Sequence, residues 1–263
     1  MIEGLHTAGS GMLSKAARQE AMANNLANAE VPGFKRDSLF LREMRQAVKR
    51  RSGDYPDWRI NRIEGMWTDF TQGKLRHTGG RFDMALNGPG FFALSTPEGV
   101  QYTRNGSFSR SAEGLLVNAL GYPVLDATGD EIHIPEPLAT LIVDATGTVR
   151  GRDAQLGEDV VIAQLSIVEF PALDDPVARA RTPYQAPLSK SRDGLYIPHP
   201  ATPQLPAQEC EVVQGYLEAA NVEPVLEMVR MIDMYRAYEA DARAIQVQDI
   251  TLDRAVNEVG RVG

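Results

Sequence analysis

The run most suggestive of chemistry is Gly88-Pro89-Gly90-Phe91-Phe92-Ala93, which has the G-x-G-x-x-A spacing of the dinucleotide-binding fingerprint. In that fingerprint the glycines let the backbone approach a pyrophosphate held at a helix N-terminus. Here the residues after Gly90 read as a strand, so a phosphate would meet no helix. Four histidines, His6, His77, His133 and His199, are scattered, with no H-E-x-x-H pair and no i, i+4 spacing, and they read as surface or turn residues rather than metal ligands. Ser107 and Ser109 lack a G-x-S-x-G elbow. Asp69 and Asp83 could act as the paired carboxylates of a glycosidase on a β scaffold, although any acidic chain offers such pairs. Cys210 is the single cysteine, which excludes an intrachain disulfide and a cysteine-based zinc cluster. The sequence therefore predicts no catalytic residues, no cofactor and no metal.

Composition bounds the remaining classes. At 263 residues and 43% hydrophobic content, the chain can bury one large core or two smaller ones. Its formal net charge of −8 argues against general nucleic-acid binding, which needs a basic surface. The charge is uneven: residues 35–62 hold nine Lys or Arg against four Asp or Glu, locally +5, leaving −13 for the remainder. Such a run is ordinarily a solvated face; its functional reading is an arm docking on an acidic neighbour, with Lys49, Arg50 and Arg51 at its centre. No run of about 18 apolar residues exists, and the N-terminus lacks a basic start followed by an apolar core and cleavage site. The expectation is a soluble chain without membrane insertion or a cleaved signal peptide.

The ends of the chain carry helical periodicity. Met228, Met231, Tyr235, Tyr238, Ala242, Ile245, Asp249, Leu252, Val256 and Val259 alternate spacings of three and four, a heptad pattern with one polar member. Ile2, Leu5, Gly9, Met12, Ala16, Ala23 and Leu26 form a thinner seam of the same spacing, broken by Gln19. Gly4, Gly9 and Gly11 weaken this first helix by roughly 1 kcal/mol each relative to alanine, so it should be marginal until it packs. Val31-Pro32-Gly33-Phe34 ends it. A short helix is expected over 38–50 and a loop over 52–59.

From about Phe70 to Ile197 the period becomes two. Asn87-Gly88 and Asn105-Gly106 predict tight hairpins, Ala127-Thr128-Gly129-Asp130 and Ala145-Thr146-Gly147 two more turns, and Val160–Phe170 one long strand. Pro198, Pro200, Pro203 and Pro206 predict an extended connector. The fold class expected is α+β: N- and C-terminal helices pairing as a coiled-coil-like domain, with an inserted all-β domain. The divisions are 1–36 for the first helix, 37–69 for a basic linker arm, 70–206 for the β domain and 207–263 for the C-terminal helix.

Four blocks of residues go beyond class. The first is Ala23-Asn24-Asn25-Leu26-Ala27-Asn28 with Val31-Pro32-Gly33-Phe34-Lys35-Arg36. The second runs from Phe70-Thr71-Gln72-Gly73 through Thr78-Gly79 and Asp83 to Gly88-Pro89-Gly90-Phe91-Phe92. Next come Tyr102-Thr103-Arg104-Asn105-Gly106-Ser107-Phe108, then Gly215-Tyr216-Leu217-Glu218-Ala219-Ala220-Asn221-Val222 with Tyr238-Glu239. In this order they resemble the signatures of the flagellar axial proteins, the rod and hook subunits, and they span both ends and the middle of the chain. The resemblance implies a structural subunit of the basal-body rod whose terminal helices polymerise into a hollow shaft around an export channel. It implies partners among copies of itself, homologous rod and hook subunits, the flagellar type III export apparatus and surrounding ring proteins, and a location spanning the periplasm.

Where the family commonly has a threonine-containing turn, this chain has Glu30-Val31-Pro32, so capping there differs. The short span from Phe34 to Gln72 and the wording Asn221-Val222-Glu223-Pro224-Val225 are closer to the proximal than to the distal rod type. A hook subunit or hook-rod adaptor is the alternative within the family, and a peptidoglycan-acting glycosidase the alternative outside it.

Overall fold

A computed structural model describes residues 2–46, 58–135, 138–153, 159–170, 188–191, 193–199, 202–207 and 209–259. The fold is α+β, with the chain divided between two compact units. One comprises the residues up to Ala27, then Asp37–Asp69 and the residues from Val222 onward; the other comprises Asn28–Arg36 and Phe70–Asn221.

The first unit holds helix α1 (Ile2–Ala27), strands β1 (Asp37–Gln46) and β2 (Trp58–Thr68), and helix α2 (Pro224–Val259). Pro224 suits a first helical position, where the missing N–H costs no bond. Glu227 follows in the first turn, where a carboxylate meets the positive end of the helix dipole. The two helices touch through Lys15, whose Nζ lies 2.7 Å from Asp241 Oδ2 and donates to the Ala237 carbonyl. Small residues make a close approach feasible: a methyl at Gly11 would lie 3.2 Å from Asp241 Oδ2.

Strands β1 and β2 form an antiparallel hairpin from Asp37↔Thr68 to Gln46↔Trp58, with a bulge after Phe40. The helix expected over 38–50 is therefore a strand over its described part. A helical reading of Leu39, Met44 and Val48 ignores the aromatic and β-branched residues of the partner strand, which favour a ribbon.

The second unit is built of strands. In chain order they are β3 (Leu75–His77), β4 (Met84–Asn87), β5 (Phe91–Thr96), β6 (Gly99–Thr103), β7 (Phe108–Arg110), β8 (Leu116–Asn118) and β9 (Leu138–Val143). Then follow β10 (Thr148–Asp153), β11 (Asp159–Gln164), β12 (Ile167–Glu169), β13 (Leu188–Lys190), β14 (Tyr196–Pro198), β15 (Leu205–Pro206), β16 (Glu211–Gln214) and β17 (Tyr216–Glu218). The largest sheet runs β13-β14-β6-β5-β12-β15, a second β11-β10-β9, and the remaining pairs are β16-β4, β17-β3 and β7-β8. Alternation across β5 sends Phe92 and Leu94 into one core with Met84, Leu116 and Val149, and Phe91 and Ala93 into an aromatic core with Tyr102, Phe170 and Tyr196.

Several expectations change here. The two Asn-Gly pairs do not close hairpins: Asn87-Gly88 leads from β4, paired with β16, to β5 in the large sheet, and Asn105-Gly106 leads from β6 to β7 in another pair. At Gly106 a Cβ would stand 1.6 Å from the Met84 carbonyl oxygen, so close backbone approach sets the residue there. Val160–Phe170 divides into β11 and β12, because Leu165 and Ser166 cross between sheets and bond to Gly147 and Leu125. The proline-rich stretch contributes short strands, with Pro206 on the outermost strand of its sheet, where a missing donor is tolerated. The C-terminal helix begins at Pro224; the preceding 209–221 form β16 and β17 rather than its start.

The turns Ser111–Leu115, Asn118–Tyr122, Asp126–Asp130 and Asp144–Thr148 are built alike. In each, the first N–H donates to the fifth carbonyl, the glycine at position four donates back to the first carbonyl, and the first side chain accepts from the fifth N–H. The fourth residue has φ between 84° and 92°, which only glycine adopts without strain.

Candidate functional site

Residues from all four sequence blocks converge on one buried polar cluster in the strand unit. Lys35 and Glu218 are both fully buried, with Lys35 Nζ 2.6 Å from Glu218 Oε1 and 2.7 Å from the Thr71 carbonyl. Glu218 Oε1 also accepts the Gly73 N–H at 2.8 Å, and Oε2 faces Arg104 Nη1 at 3.4 Å. Arg104 donates through Nη2 to the Gly88 carbonyl and lies over the Phe91 ring, 5.0 Å from its centre. Two buried cations share one carboxylate, and each hydrogen bond replaces water that the site excludes.

Backbone geometry holds the cluster shut. Gly33 donates to the Glu218 carbonyl, and a methyl at Gly73 would lie 1.9 Å from the Ala219 carbonyl oxygen, so the chain passes there only as glycine. Asn221 accepts from the Arg36 N–H, donates to Thr71 and gives its own N–H to the Phe34 carbonyl. Lys190 lies over the Phe34 ring at 3.9 Å. In the sequence Lys35 opens the basic span 35–62, but in the fold it is interior and paired with Glu218. The signal was present, since both residues lie inside the quoted blocks, but spacing does not reveal a pair 183 residues apart.

The other block residues have separable roles. Asn25 exchanges two bonds of 2.8 Å with the Asp37 backbone, and Thr68 closes on the Asp37 carboxylate, clamping the hairpin base to α1. Asn28 accepts the Val31 N–H, and Asn24 is exposed. Gln72 joins Leu86 to Gly88 through its amide, and Thr78 donates to Asp83 at 2.6 Å beside exposed Gly79. Gly90 lies against Ile167 and Cys210, Thr103 accepts from Asn105, and Phe108 packs edge-on against Phe92. Tyr102 donates to Gln204; Val222 is buried, and Glu239 accepts from Arg243.

The chemistry weighed from sequence finds little geometry. Gly88–Phe91 opens strand β5, Asp69 and Asp83 belong to different units, and His77 packs edge-on against Tyr216. Among the described residues no group of three His, Cys, Asp or Glu could hold a metal. A cavity of about 340 Å³ beside the cluster is walled by Phe70, Phe91, Phe170 and Leu188, with Arg104 and Glu169. Burial pushes the Cys210 thiol up to about 11, away from nucleophilic use.

The helix seams are placed differently from their sequence frame. Met231, Tyr238, Ile245 and Leu252 are half-buried, but Met228 and Tyr235 are 48% and 56% exposed. The covered line of α2 is Glu227, Met231, Met234, Tyr238, Asp241, Ile245, Gln248 and Leu252, again at spacings of four and three. On α1, Met12 and Leu26 are half-buried, whereas Ser14, Ala21 and Asn25 are the buried residues among those whose side chains are described. Apolar residues occupy more than one face of α2, so counting them cannot select the frame; the Lys15–Asp241 pair helps to fix it. The side chains of Leu5 and Val256, and Lys49, Arg50 and Arg51 altogether, lie outside the described residues.

Fold and site together define a subunit with a buried, hydrogen-bonded polar cluster in its strand unit and an exposed apolar stripe on its C-terminal helix. Comparison with known proteins identifies its class. Residues 5–35 match the family described as flagella basal body rod protein, 85–151 the flagellar hook protein FlgE/F/G D1 domain, and 213–258 the flagellar basal body rod FlgEFG protein C-terminal. The flagellar basal-body rod protein FlgF of Caulobacter vibrioides is 33% identical over 245 residues, covering 93% of this chain and 91% of that protein. The rod protein FlgG of Agrobacterium fabrum is 30% identical, covering 94% and 96%, and FlgF of Mesorhizobium japonicum 27%, covering 99% of each. The chain belongs to the flagellar basal-body rod protein family.

Proposed function

We propose that this protein polymerises through its terminal helices into the hollow shaft of the rod, transmitting torque and surrounding the export channel. One observation carries the reading. Val225, Met228, Val229, Ile232 and Tyr235 form an apolar stripe at helical spacing on the first third of α2, each between 48% and 74% exposed. Burying such a stripe is worth about 25 cal/mol per Å² of apolar surface, and helices of neighbouring subunits supply the cover. Contacts that repeat head-to-tail without closing generate a filament. A coiled-coil-like pairing of α1 with α2 belongs to the same proposal, supported by the four-three spacing of the covered line.

The subunit's place is the periplasm-spanning basal body, reached through the type III export apparatus, with homologous rod and hook subunits and surrounding ring proteins as neighbours. The proximal rod is the preferred position, supported by the short Phe34–Gln72 span and the Asn221–Val225 wording. The test is Ile232→Asp. Wild-type protein is expected to sediment as concentration-dependent polymer, and the variant to remain monomeric with its strand unit folded. Normal polymerisation of the variant would contradict the assignment.

A further inference from the structure

The three-stranded sheet β11-β10-β9 has two edges, and the fold treats them differently. On β9 the outer backbone groups are met by one side chain. Gln214 Oε1 accepts the Val143 N–H at 3.0 Å, and its Nε2 donates to the Leu141 carbonyl at 3.0 Å and to the Arg81 carbonyl at 2.8 Å. An N–H and the carbonyl two residues before it are groups that a neighbouring strand would take, so the amide stands in for a strand at this edge. It uses both its donor and its acceptor capacity to do so. Among the described residues no other group bonds to the outer side of Leu138–Val143.

At the opposite edge β11 is bare. Among the described residues, 159–163 make no backbone bond outside their pairing with β10. Val160 and Val161 on β11 and Ile142 on β9 are between 45% and 61% exposed. Sheet edges are commonly blunted by shortness, Lys or Pro, and the largest sheet follows that rule: β13 has three residues and ends in Lys190, and β15 has two and contains Pro206. Strands β9 and β11 read Leu-Ala-Thr-Leu-Ile-Val and Asp-Val-Val-Ile-Ala-Gln, with no Lys, Arg or Pro and a single carboxylate between them. Apolar, nearly uncharged segments of this length are the ones that stack into extended sheets.

We infer that Gln214 is the cap that stops this sheet from extending between molecules: with the amide withdrawn, β9 of one copy pairs with the bare β11 edge of a second copy. The two strands lie on opposite edges of the same sheet, so the contact is head-to-tail and does not close, and copies add without limit. Asp159 is the only charged residue on either strand, so no like charges oppose the pairing. The cap lies wholly within the strand unit and acts independently of the helix seam.

The test uses full-length protein carrying Ile232→Asp, to silence assembly through α2, and reads stacked sheet by thioflavin fluorescence, which helix packing does not produce. Adding Gln214→Leu leaves the Val143 N–H and the Leu141 and Arg81 carbonyls without this partner. Open β9 edge should then be populated about tenfold more or higher, and sheet aggregate should appear about tenfold sooner. Lys35→Met, which destabilises the same unit away from this sheet, is the control for lost stability. Ile142→Lys on β9 and Val161→Lys on β11 each place a charge on one of the two pairing edges, so either one added to the Gln214→Leu protein should abolish the aggregate without restoring Tm. Aggregation of the Gln214→Leu protein no sooner than that of the Lys35→Met control would overturn the inference. Rescue by only one of the two lysines, or by neither, would also overturn it, because the contact would then not join β9 to β11.

Discussion

Replacing Lys35 with methionine keeps most of the side-chain volume and removes one charge from a fully buried site. In the wild type, Lys35 Nζ contacts Glu218 Oε1 at 2.6 Å and the Thr71 carbonyl at 2.7 Å, both inside the strand unit. Breaking a buried pair from one side costs about 3–5 kcal/mol, because the remaining charge stays desolvated. Glu218 keeps the Gly73 N–H at 2.8 Å and Arg104 at 3.4 Å, so the expected loss sits at the low end, about 3 kcal/mol. For a unit of roughly 160 residues, each kcal/mol moves Tm by about 2–4 °C, giving a drop of about 6–12 °C. The assay is thermal unfolding followed by tyrosine near-UV circular dichroism, with exposed Lys74→Met as the control, expected within about 0.5 kcal/mol of wild type. Glu218→Gln leaves two buried cations facing a neutral amide, and its double variant with Lys35→Met should lose at least about 1 kcal/mol less than the two single losses combined. A Lys35→Met loss no larger than that of the control would refute the buried-pair reasoning.

Further outcomes follow from other parts of the structure. Gly73→Ala forces a methyl to within 1.9 Å of a carbonyl oxygen, and should cost several kcal/mol, on the order of 3 or more, in urea unfolding; a neutral result would contradict the close approach. Ile245→Asp puts a charge on the covered line of α2 and should block rod incorporation while the strand unit stays folded; normal incorporation would sink that line as an assembly element. Asp144, like Asp126, has its carboxyl held low, chiefly by a threonine hydroxyl, here that of Thr146. Because the folded pKa is depressed, the stabilisation is present above the ordinary value of 3.8 and is lost as pH falls through the folded value. Carboxyl titration by NMR should place both aspartates below 3.8, and a midpoint above it would disagree with the turn geometry. Cys210, raised to about 11, should react slowly with thiol reagents at pH 8 and rapidly in urea; fast labelling of folded protein would contradict its burial.

Much of the architecture is legible because it depends on period. The long helices at the two ends show in residues 2–28 and 228–259, and the central strands show in runs such as Phe91–Leu94. The segment 37–46 was harder, since ten residues bearing Arg42, Glu43 and Arg45 suit an exposed helix as well as a ribbon, and only pairing with 58–68 decides between them. Ser, Asn or Asp followed three residues later by Gly is shared by the four bulged turns and by Ser191–Gly194. It is shared also by Asn87–Gly90, which leads straight into β5, so the pattern alone does not assign a turn; Asn-Gly marks changes of sheet. Register between α1 and α2 is not legible from apolar spacing, because the polar pair Lys15 and Asp241 helps to set it. The buried cluster illustrates the same limit. Lys35, Arg104 and Glu218 are ordinary surface-type residues until the fold brings distant blocks together and removes the water.

The central claim is that this chain is a load-carrying subunit of the rod. Electron microscopy of basal bodies purified from cells lacking it, beside a complemented strain, tests that claim most directly. The account predicts loss of the rod and of everything outside it, truncated at the proximal end and restored on complementation. Intact rods and hooks in the deletion strain would contradict it.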